Sequence, residues 1–204
     1  WEIKLEMFEK VIDEINDSLD NDKVIISLAP GFTITQLKEK LKAGRIVRSM
    51  PNTPAMIGEG MTGVCFDENE FDEKEIDVIN KIFEATGKAK KVDEKLMNSV
   101  VCASGSSPAY VFMFIEALAD SAVKCGLPRK DAYEFVAQTV LGSAKLMLET
   151  GKHPGELKDM VCSPGGTTIA GVAELEKNGF RKAIFEATDA CFNKCNKHIK
   201  KYRK

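Results

Sequence analysis

This 204-residue sequence has few histidines and tryptophans, with two of the first and one of the second. Its formal net charge is also small, at −2. His153 and His198 lie in no context that indicates a catalytic triad. The balanced charge provides none of the clustered positive charge that nucleic acids require. The one basic cluster, residues 197–204, is typical of a solvated helix end. We therefore expect no nucleic acid partner.

The sequence also lacks a long apolar run, a secretory leader and paired cysteines. Its richest apolar stretch, residues 109–119, contains Glu116 and is shorter than the roughly 20 residues that span a bilayer. The six cysteines form no CxxC pair, and Cys191 and Cys195 have only His198 nearby. We expect reduced, mostly buried thiols, no metal site, no membrane partner and a cytoplasmic location.

Helix and strand patterns alternate in the first part of the sequence. Apolar residues recur with a helical period over residues 2–19, 33–41 and 72–85, the second helix being capped by Thr33 or Thr35. Short apolar runs predict strands at 24–28, 45–50, 61–66 and 88–92. This alternation predicts an α/β domain with a mostly parallel sheet.

Only helices are predicted after residue 93, at 98–125, 129–150, 156–161, 168–178 and 180–202. The fold class is therefore α/β followed by all-α, with domains at 1–94 and 95–204. The first of these helices is apolar around its circumference, which predicts burial at the centre of a bundle or in a subunit interface. The sequence begins at Trp1 inside a predicted helix, so we expect a fragment of a longer polypeptide.

Residues 162–169, Cys-Ser-Pro-Gly-Gly-Thr-Thr-Ile, combine a Pro-Gly-Gly turn with the start of a predicted helix. Glycine lets the backbone approach a ligand closely. The free N–H groups and the positive dipole end of a helix bind small anions such as carboxylates. An ordinary capped helix start is the alternative interpretation.

Two further motifs combine turn residues with polar side chains. Residues 104–110, Ser-Gly-Ser-Ser-Pro-Ala-Tyr, predict a helix cap with Pro108 in the first turn, and a serine nucleophile is the sharper alternative. The motif is not a Gly-x-Ser-x-Gly elbow, however, and no base accompanies it. Asn52, between two prolines, follows the predicted strand 45–50, where open α/β sheets place their ligand crevice.

The order of these motifs closely resembles the delta-1-pyrroline-5-carboxylate reductase family over essentially the whole chain. The resemblance rests on residues 47–54, 58–60, 104–110, 126–129 and 163–168. It implies a partial Rossmann-type parallel sheet followed by a helical dimerisation domain, which forms a homodimer or a higher homo-oligomer. It also implies hydride transfer from NADPH or NADH to the C=N carbon of a cyclic imino acid, giving L-proline.

The resemblance further implies the roles of individual residues. Main-chain N–H groups near Gly166, Thr167 and Thr168 would hold the substrate carboxylate, with Gly165 in the same loop and Ser163 assisting. Thr168 would also hydrogen-bond the ring nitrogen and is the candidate catalytic residue.

On the cofactor side, the resemblance places Asn52 beside the nicotinamide. Pro51, Ala29 and Gly31 are the other candidate cofactor-binding residues.

Two departures from the family pattern are Ser107, where glycine is usual, and Pro30, where alanine is common. The family's Gly-x-Gly-x-x-Gly phosphate loop would lie before Trp1. Two alternatives therefore stay open. The chain could be a catalytically silent dimerisation fragment without the cofactor phosphate site, or a related dehydrogenase of another small imino or hydroxy acid.

Overall fold

The computed structural model describes residues 5–29 and 31–201, and the side chains of residues 8 and 10–197 apart from Pro30. The predictions that concern Trp1, Pro30 and the side chains of the basic cluster after Lys197 lie outside the described residues.

Four strands and nine helices are defined within the described part of the chain. The strands are β1 (Val24–Ser27), β2 (Arg45–Met50), β3 (Gly60–Cys65) and β4 (Gly87–Lys91). The helices are α1 (Leu5–Asn16), α2 (Ile34–Lys40), α3 (Glu73–Glu84), α4 (Met97–Val100), α5 (Ser107–Lys124), α6 (Arg129–Thr150), α7 (Pro154–Val161), α8 (Thr167–Lys177) and α9 (Phe180–Lys201). Short 3-10 turns occupy Thr53–Ile57, Glu68–Glu70 and Glu94–Leu96, and Val101–Gly105 is a π-helical turn.

The four strands form one sheet in the order β1-β2-β3-β4. The β1/β2 and β3/β4 pairs are parallel, as predicted, whereas β2 and β3 are antiparallel. Only residues 51–59 connect β2 to β3, and a parallel crossover needs a dozen residues or more. The short connection therefore reverses the chain direction at this one pair.

Local polar residues define where the helices of this domain begin. Thr33 caps α2 through a reciprocal box with Gln36, and Asp72 caps α3 through the same box with Glu75. Of the two threonines predicted as the cap of α2, Thr33 is the one that acts.

Helices cover both faces of the sheet, and two adjacent residues of β2 show this division. Ile46 packs in a cluster with α1 and α2, which includes Ile12, Phe32 and Leu37. Val47 belongs to a second cluster that includes Ile79 and Phe83 of α3. Neighbouring residues in a strand point to opposite faces, so β2 lies at the centre of an α/β core.

The chain divides into two compact units, and the first comprises residues up to Pro108 together with those from Thr188 onward. The second unit, Ala109–Ala187, has a small core of Ala119, Ala132 and Val136. The predicted domain boundary between residues 94 and 95 stays a prediction.

The helices after residue 106 expose an unusual number of large apolar side chains. Phe112, Met113, Phe135, Leu148 and Phe185 are each between 60% and 72% exposed in the single chain. The described residues therefore leave part of the apolar circumference of α5 uncovered. Exposed apolar surface of this extent indicates a partner, and favours the subunit interface over a bundle centre within one chain.

One continuous helical stretch, Glu94–Lys124, is also long and apolar enough to cross a bilayer by length and composition alone. The sequence predicts, from residues 109–119, that no apolar stretch is long enough to span a bilayer. By helix length and composition that prediction is wrong. The helix is longer because the 3-10, α and π segments before Ser107 join α5. Core helices of soluble proteins meet the same criterion, so length alone does not decide between a lipid and a protein partner.

Candidate active site

The loop between α7 and α8 has the open geometry that its glycines predict. Gly165 has φ of +68°, a left-handed conformation that favours glycine. Gly166 is the N-cap of α8, and its N–H donates to the Ser163 carbonyl at 3.0 Å. A Cβ at position 166 would collide with the Ser163 hydroxyl. The backbone of the turn therefore favours glycine at position 165, and a side chain at position 166 would require the Ser163 hydroxyl to move.

No side chain among the described residues caps the N-terminus of α8. The N–H groups of Thr167, Thr168 and Ile169 find no hydrogen-bond acceptor within the described residues, and all three residues are exposed. The ordinary alternative, a helix start closed by its own side chains, is therefore not what the structure has. Three free donors at the positive end of an 11-residue helix suit a small anion. The roles predicted for Ser163–Thr168 stay predictions.

The predicted cofactor residues follow the carboxyl ends of two neighbouring parallel strands. Ala29 and Gly31 come after β1, and Pro51 and Asn52 come after β2. Ser27 pairs with Arg48 in the register, so both loops begin at the same edge of the sheet. The structure thus brings these four residues to one sheet edge in the first unit, where open α/β sheets bind their ligands.

The Asn52 side chain is fixed on one side and open on the other. Its Oδ1 accepts the N–H of Met61 at 2.9 Å, while its Nδ2 makes no hydrogen bond within the described part of the chain. A half-buried amide donor held at a sheet edge is suited to a neutral polar group such as a carboxamide.

Glycines 58, 60 and 63 have the literal Gly-x-Gly-x-x-Gly spacing, but their structure is not that of a phosphate loop. They lead into β3, whereas a dinucleotide fingerprint joins a strand to a helix. A Cβ on Gly60 would lie 2.7 Å from the Thr86 carbonyl, and one on Gly63 would lie 2.7 Å from Val100. Gly60 and Gly63 serve close packing, and Gly58 ends the preceding 3-10 turn with a φ of +75°.

The serines of residues 104–110 contact groups other than a catalytic base. Ser104 donates to the Val100 carbonyl at 3.1 Å, and Ser107 donates to the Ala103 carbonyl at 2.7 Å. The motif interrupts the long helix, because the π turn ends at Gly105 and Pro108 lies in the first turn of α5. Ser107, the departure from the family pattern, thus fits this turn through its own hydrogen bond.

His153 plays a structural part. Its Nδ1 accepts the Gly155 N–H at 3.1 Å and caps α7. This contact explains its place before Pro154 without any catalytic role.

The cysteines are all free, two of them buried, three half-buried and one exposed. The Ser106 hydroxyl and the Cys191 thiol lie 3.3 Å apart. Burial, followed by a hydrogen bond with Cys191, raises the pKa of Cys102 to about 12. Burial also raises the pKa of Cys65 and Cys195. These thiols are protonated and weakly nucleophilic. The described residues contain no cluster of three or more side chains able to hold a metal ion.

Sequence reasoning missed an ion pair between the buried Arg48 and the half-buried Glu94. The Arg48 side chain is only 4% exposed, and its Nη1 lies 3.2 Å from Glu94 Oε1. The same oxygen accepts the Ile34 N–H at 2.6 Å. The signal was available, because Arg48 interrupts the apolar strand 45–50 and a buried charge requires a partner.

Comparison with known proteins assigns this architecture to one family. A family model described as pyrroline-5-carboxylate reductase dimerisation matches residues 94–198. The chain is 53% identical over 189 residues to the pyrroline-5-carboxylate reductase of Escherichia coli K12, covering 92% of this chain and 70% of the relative. It is 44% identical to the Arabidopsis thaliana enzyme, covering 93% of this chain and 68% of that relative.

Solved structures agree. The Plasmodium falciparum pyrroline carboxylate reductase with NADP bound has a TM-score of 0.88 at 34% identity, over 97% of this chain and 79% of that one. The Coxiella burnetii pyrroline-5-carboxylate reductase has a TM-score of 0.85, also at 34% identity, over 96% and 73%. The apolar stretch Glu94–Lys124 lies within the dimerisation match, which indicates a protein partner for it.

Proposed function

The chain belongs to the pyrroline-5-carboxylate reductase family, and on that premise we propose that it reduces 1-pyrroline-5-carboxylate to L-proline with NAD(P)H, the final step of proline biosynthesis. Its relatives carry the name of this activity, and one structural neighbour holds NADP. On this chain, the observation that carries the proposal is the uncapped N-terminus of α8 behind the Pro-Gly-Gly turn.

The substrate carboxylate binds to the start of α8. Gly166 uses its own N–H for the Ser163 carbonyl, so the donors are the N–H groups of Thr167, Thr168 and Ile169. Charge-assisted hydrogen bonds of this kind are stronger than neutral ones. Ser163, with its exposed hydroxyl, assists, and Gly165 lets the loop turn without a side chain over the carboxylate.

The Thr168 hydroxyl is the group proposed to contact the ring nitrogen. It makes no hydrogen bond within the described residues, so it is available to the substrate. The substrate binds as the iminium, whose nitrogen already carries a proton. The site therefore needs no strong general acid, and catalysis consists mainly of holding the reacting atoms in position.

Ala29, Gly31, Pro51 and Asn52 are proposed to hold the nicotinamide half of the cofactor. The free Nδ2 of Asn52 and the positive φ of Gly31, +91°, support a close approach at this sheet edge. When bound, the cofactor supplies the hydride. The glycines at 58–63 do not fit its phosphates, because Gly60 and Gly63 lie in β3 and pack against Thr86 and Val100.

Two copies of the chain associate through the apolar faces of the dimerisation segment. We also propose a cytoplasmic location, which the six free thiols support.

The reaction is tested by following NADPH absorbance with pyrroline-5-carboxylate as substrate and by identifying proline as the product. Proline formed in proportion to the NADPH consumed is the expected result. Titrating the 204-residue chain itself with NADPH tests the silent-fragment alternative, because a dimer that binds no NADPH would support that alternative. Preference for another imino or hydroxy acid would support the related dehydrogenase.

A further inference from the structure

The Glu94 carboxylate connects three separate elements of the first unit. Glu94 begins the 3-10 turn that precedes α4. One of its oxygens, Oε1, accepts the Ile34 N–H at the start of α2 and contacts Arg48 Nη1 on β2. Its side chain is 31% exposed, whereas that of Arg48 is 4% exposed.

Ile34 and Arg48 both lie close in sequence to the proposed cofactor-binding loops. Ile34 directly follows the loop that contains Ala29 and Gly31, and Arg48 lies two residues before the end of β2, which leads to Asn52. A single carboxylate thus joins the start of the helix that follows one loop to the strand that leads into the other loop. It also accepts the first N–H of α2, at the positive end of that helix.

The other end of β2 carries a similar arrangement. Glu75 accepts the Asp72 N–H at 3.0 Å and pairs with Arg45, the first residue of β2. Arg45 pairs with Val24 in the register, so this contact lies at the amino edge, away from the cofactor loops. The two glutamates have the same chemistry but different locations.

We propose that Glu94 is a positioning residue that holds the two cofactor-side loops in the conformation that binds the nicotinamide half of NADPH. The proposal rests on the function proposed above. Glu94 acts through Ile34 and Arg48 and does not itself contact the reacting atoms. Small displacements of a binding loop are costly to affinity and rate, since productive geometry is held by supporting contacts.

The test compares Glu94→Gln with the matched control Glu75→Gln in the enzyme. Each variant keeps an oxygen for its backbone N–H and removes the charge that faces an arginine. The measurements are the Kd for NADPH by calorimetry, the KM for both substrates, and the Tm. For Glu94→Gln we expect the Kd and KM for NADPH to rise about tenfold, with the KM for pyrroline-5-carboxylate changed by less than about twofold. For Glu75→Gln we expect all three constants to stay within about twofold of the unsubstituted enzyme.

A double variant, Arg48→Met with Glu94→Gln, separates positioning from stability. It removes the buried cation together with its partner charge, so we expect the Tm to recover while the NADPH affinity stays low. The proposal would be overturned if the double variant recovered both the Tm and the affinity for NADPH. It would also be overturned if Glu94→Gln and Glu75→Gln lost equal affinity for NADPH. Unsubstituted enzyme that binds NADPH but forms no proline would overturn only the proposed function. Absence of NADPH binding would overturn both.

Discussion

The N–H of Gly166 donates to the carbonyl of Ser163 at 3.0 Å, which closes the turn in front of α8. The next three N–H groups belong to the first turn of α8 and have no acceptor among the described residues, and the helix fixes their direction. The proposed substrate seat is therefore formed before any ligand arrives, and pre-organisation of this kind lowers the cost of binding.

Thr168→Ala should lower turnover with little change in stability. The Thr168 hydroxyl is exposed and makes no hydrogen bond within the described residues, so its removal leaves the fold intact. Loss of one hydrogen bond to the reacting ring predicts a decrease in kcat of about tenfold. Steady-state kinetics measure the effect, and Thr150→Ala, which removes an exposed helix-end hydroxyl, is the control. An unchanged kcat in Thr168→Ala would contradict the proposed contact between the Thr168 hydroxyl and the ring nitrogen.

Asn52→Asp should weaken cofactor binding selectively. The carboxylate keeps the oxygen that accepts the Met61 N–H but loses the free Nδ2 donor. We expect the KM for NADPH to rise about tenfold and the KM for pyrroline-5-carboxylate to stay nearly constant. Asn69→Asp introduces the same charge at an exposed turn and serves as the control. Equal effects of the two substitutions would argue against a contact between Asn52 and the cofactor.

Phe112→Asp should disrupt the oligomer. Phe112 is 60% exposed in the single chain and lies in the segment matched by the dimerisation family. A charge placed in an apolar interface predicts a dissociation constant at least about 100-fold higher. Sedimentation equilibrium measures it. The control is Val78→Asp, since Val78 is 54% exposed but lies on α3, outside that segment. If the oligomer of Phe112→Asp kept the mass of the unsubstituted oligomer, Phe112 would not lie in the interface.

The raised pKa of the Cys102 thiol should make the free energy of unfolding decrease as the pH rises above neutrality. Its pKa is raised by burial from 9.0 in the unfolded chain to about 12, so the folded state retains a proton that the unfolded state loses. This contribution is complete below pH 9 and is lost as the pH rises toward 12. Between pH 8 and pH 10, denaturant titration should show a loss of about 1 kcal/mol in unfolding free energy beyond that of Cys102→Ala. An identical pH dependence in the two proteins would contradict the assignment.

The helices and strands could largely be predicted from the sequence, because their signals are local. Thr33 and Asp72 each lie three residues before a glutamine or glutamate, which is the signature of the caps they form. The reversal between β2 and β3 was missed, since the strand patterns themselves carry no direction. The short 51–59 connection was the available clue.

Contacts between distant parts of the chain were harder to predict. Arg48 and Glu94 are 46 residues apart, and no local pattern links them. Likewise, the apolar run 109–119 does not show that the preceding segments extend it into one long helix. The loop at 162–169 was recognisable because its glycines, its hydroxyls and the helix it opens are adjacent in sequence.

The central claim is that the free N–H groups at the start of α8 bind the substrate carboxylate, and Thr167→Pro tests it most directly. Proline fits the first position of a helix and removes both the N–H and the threonine side chain, whereas the control Thr167→Ala removes the side chain but keeps the N–H. The substrates to compare are pyrroline-5-carboxylate and 1-pyrroline, which lacks the carboxylate.

We expect Thr167→Pro to lower kcat/KM for pyrroline-5-carboxylate by about tenfold or more relative to Thr167→Ala, and to leave kcat/KM for 1-pyrroline unchanged. Equal losses for the two substrates, or no loss for pyrroline-5-carboxylate, would contradict the claim that α8 holds the carboxylate.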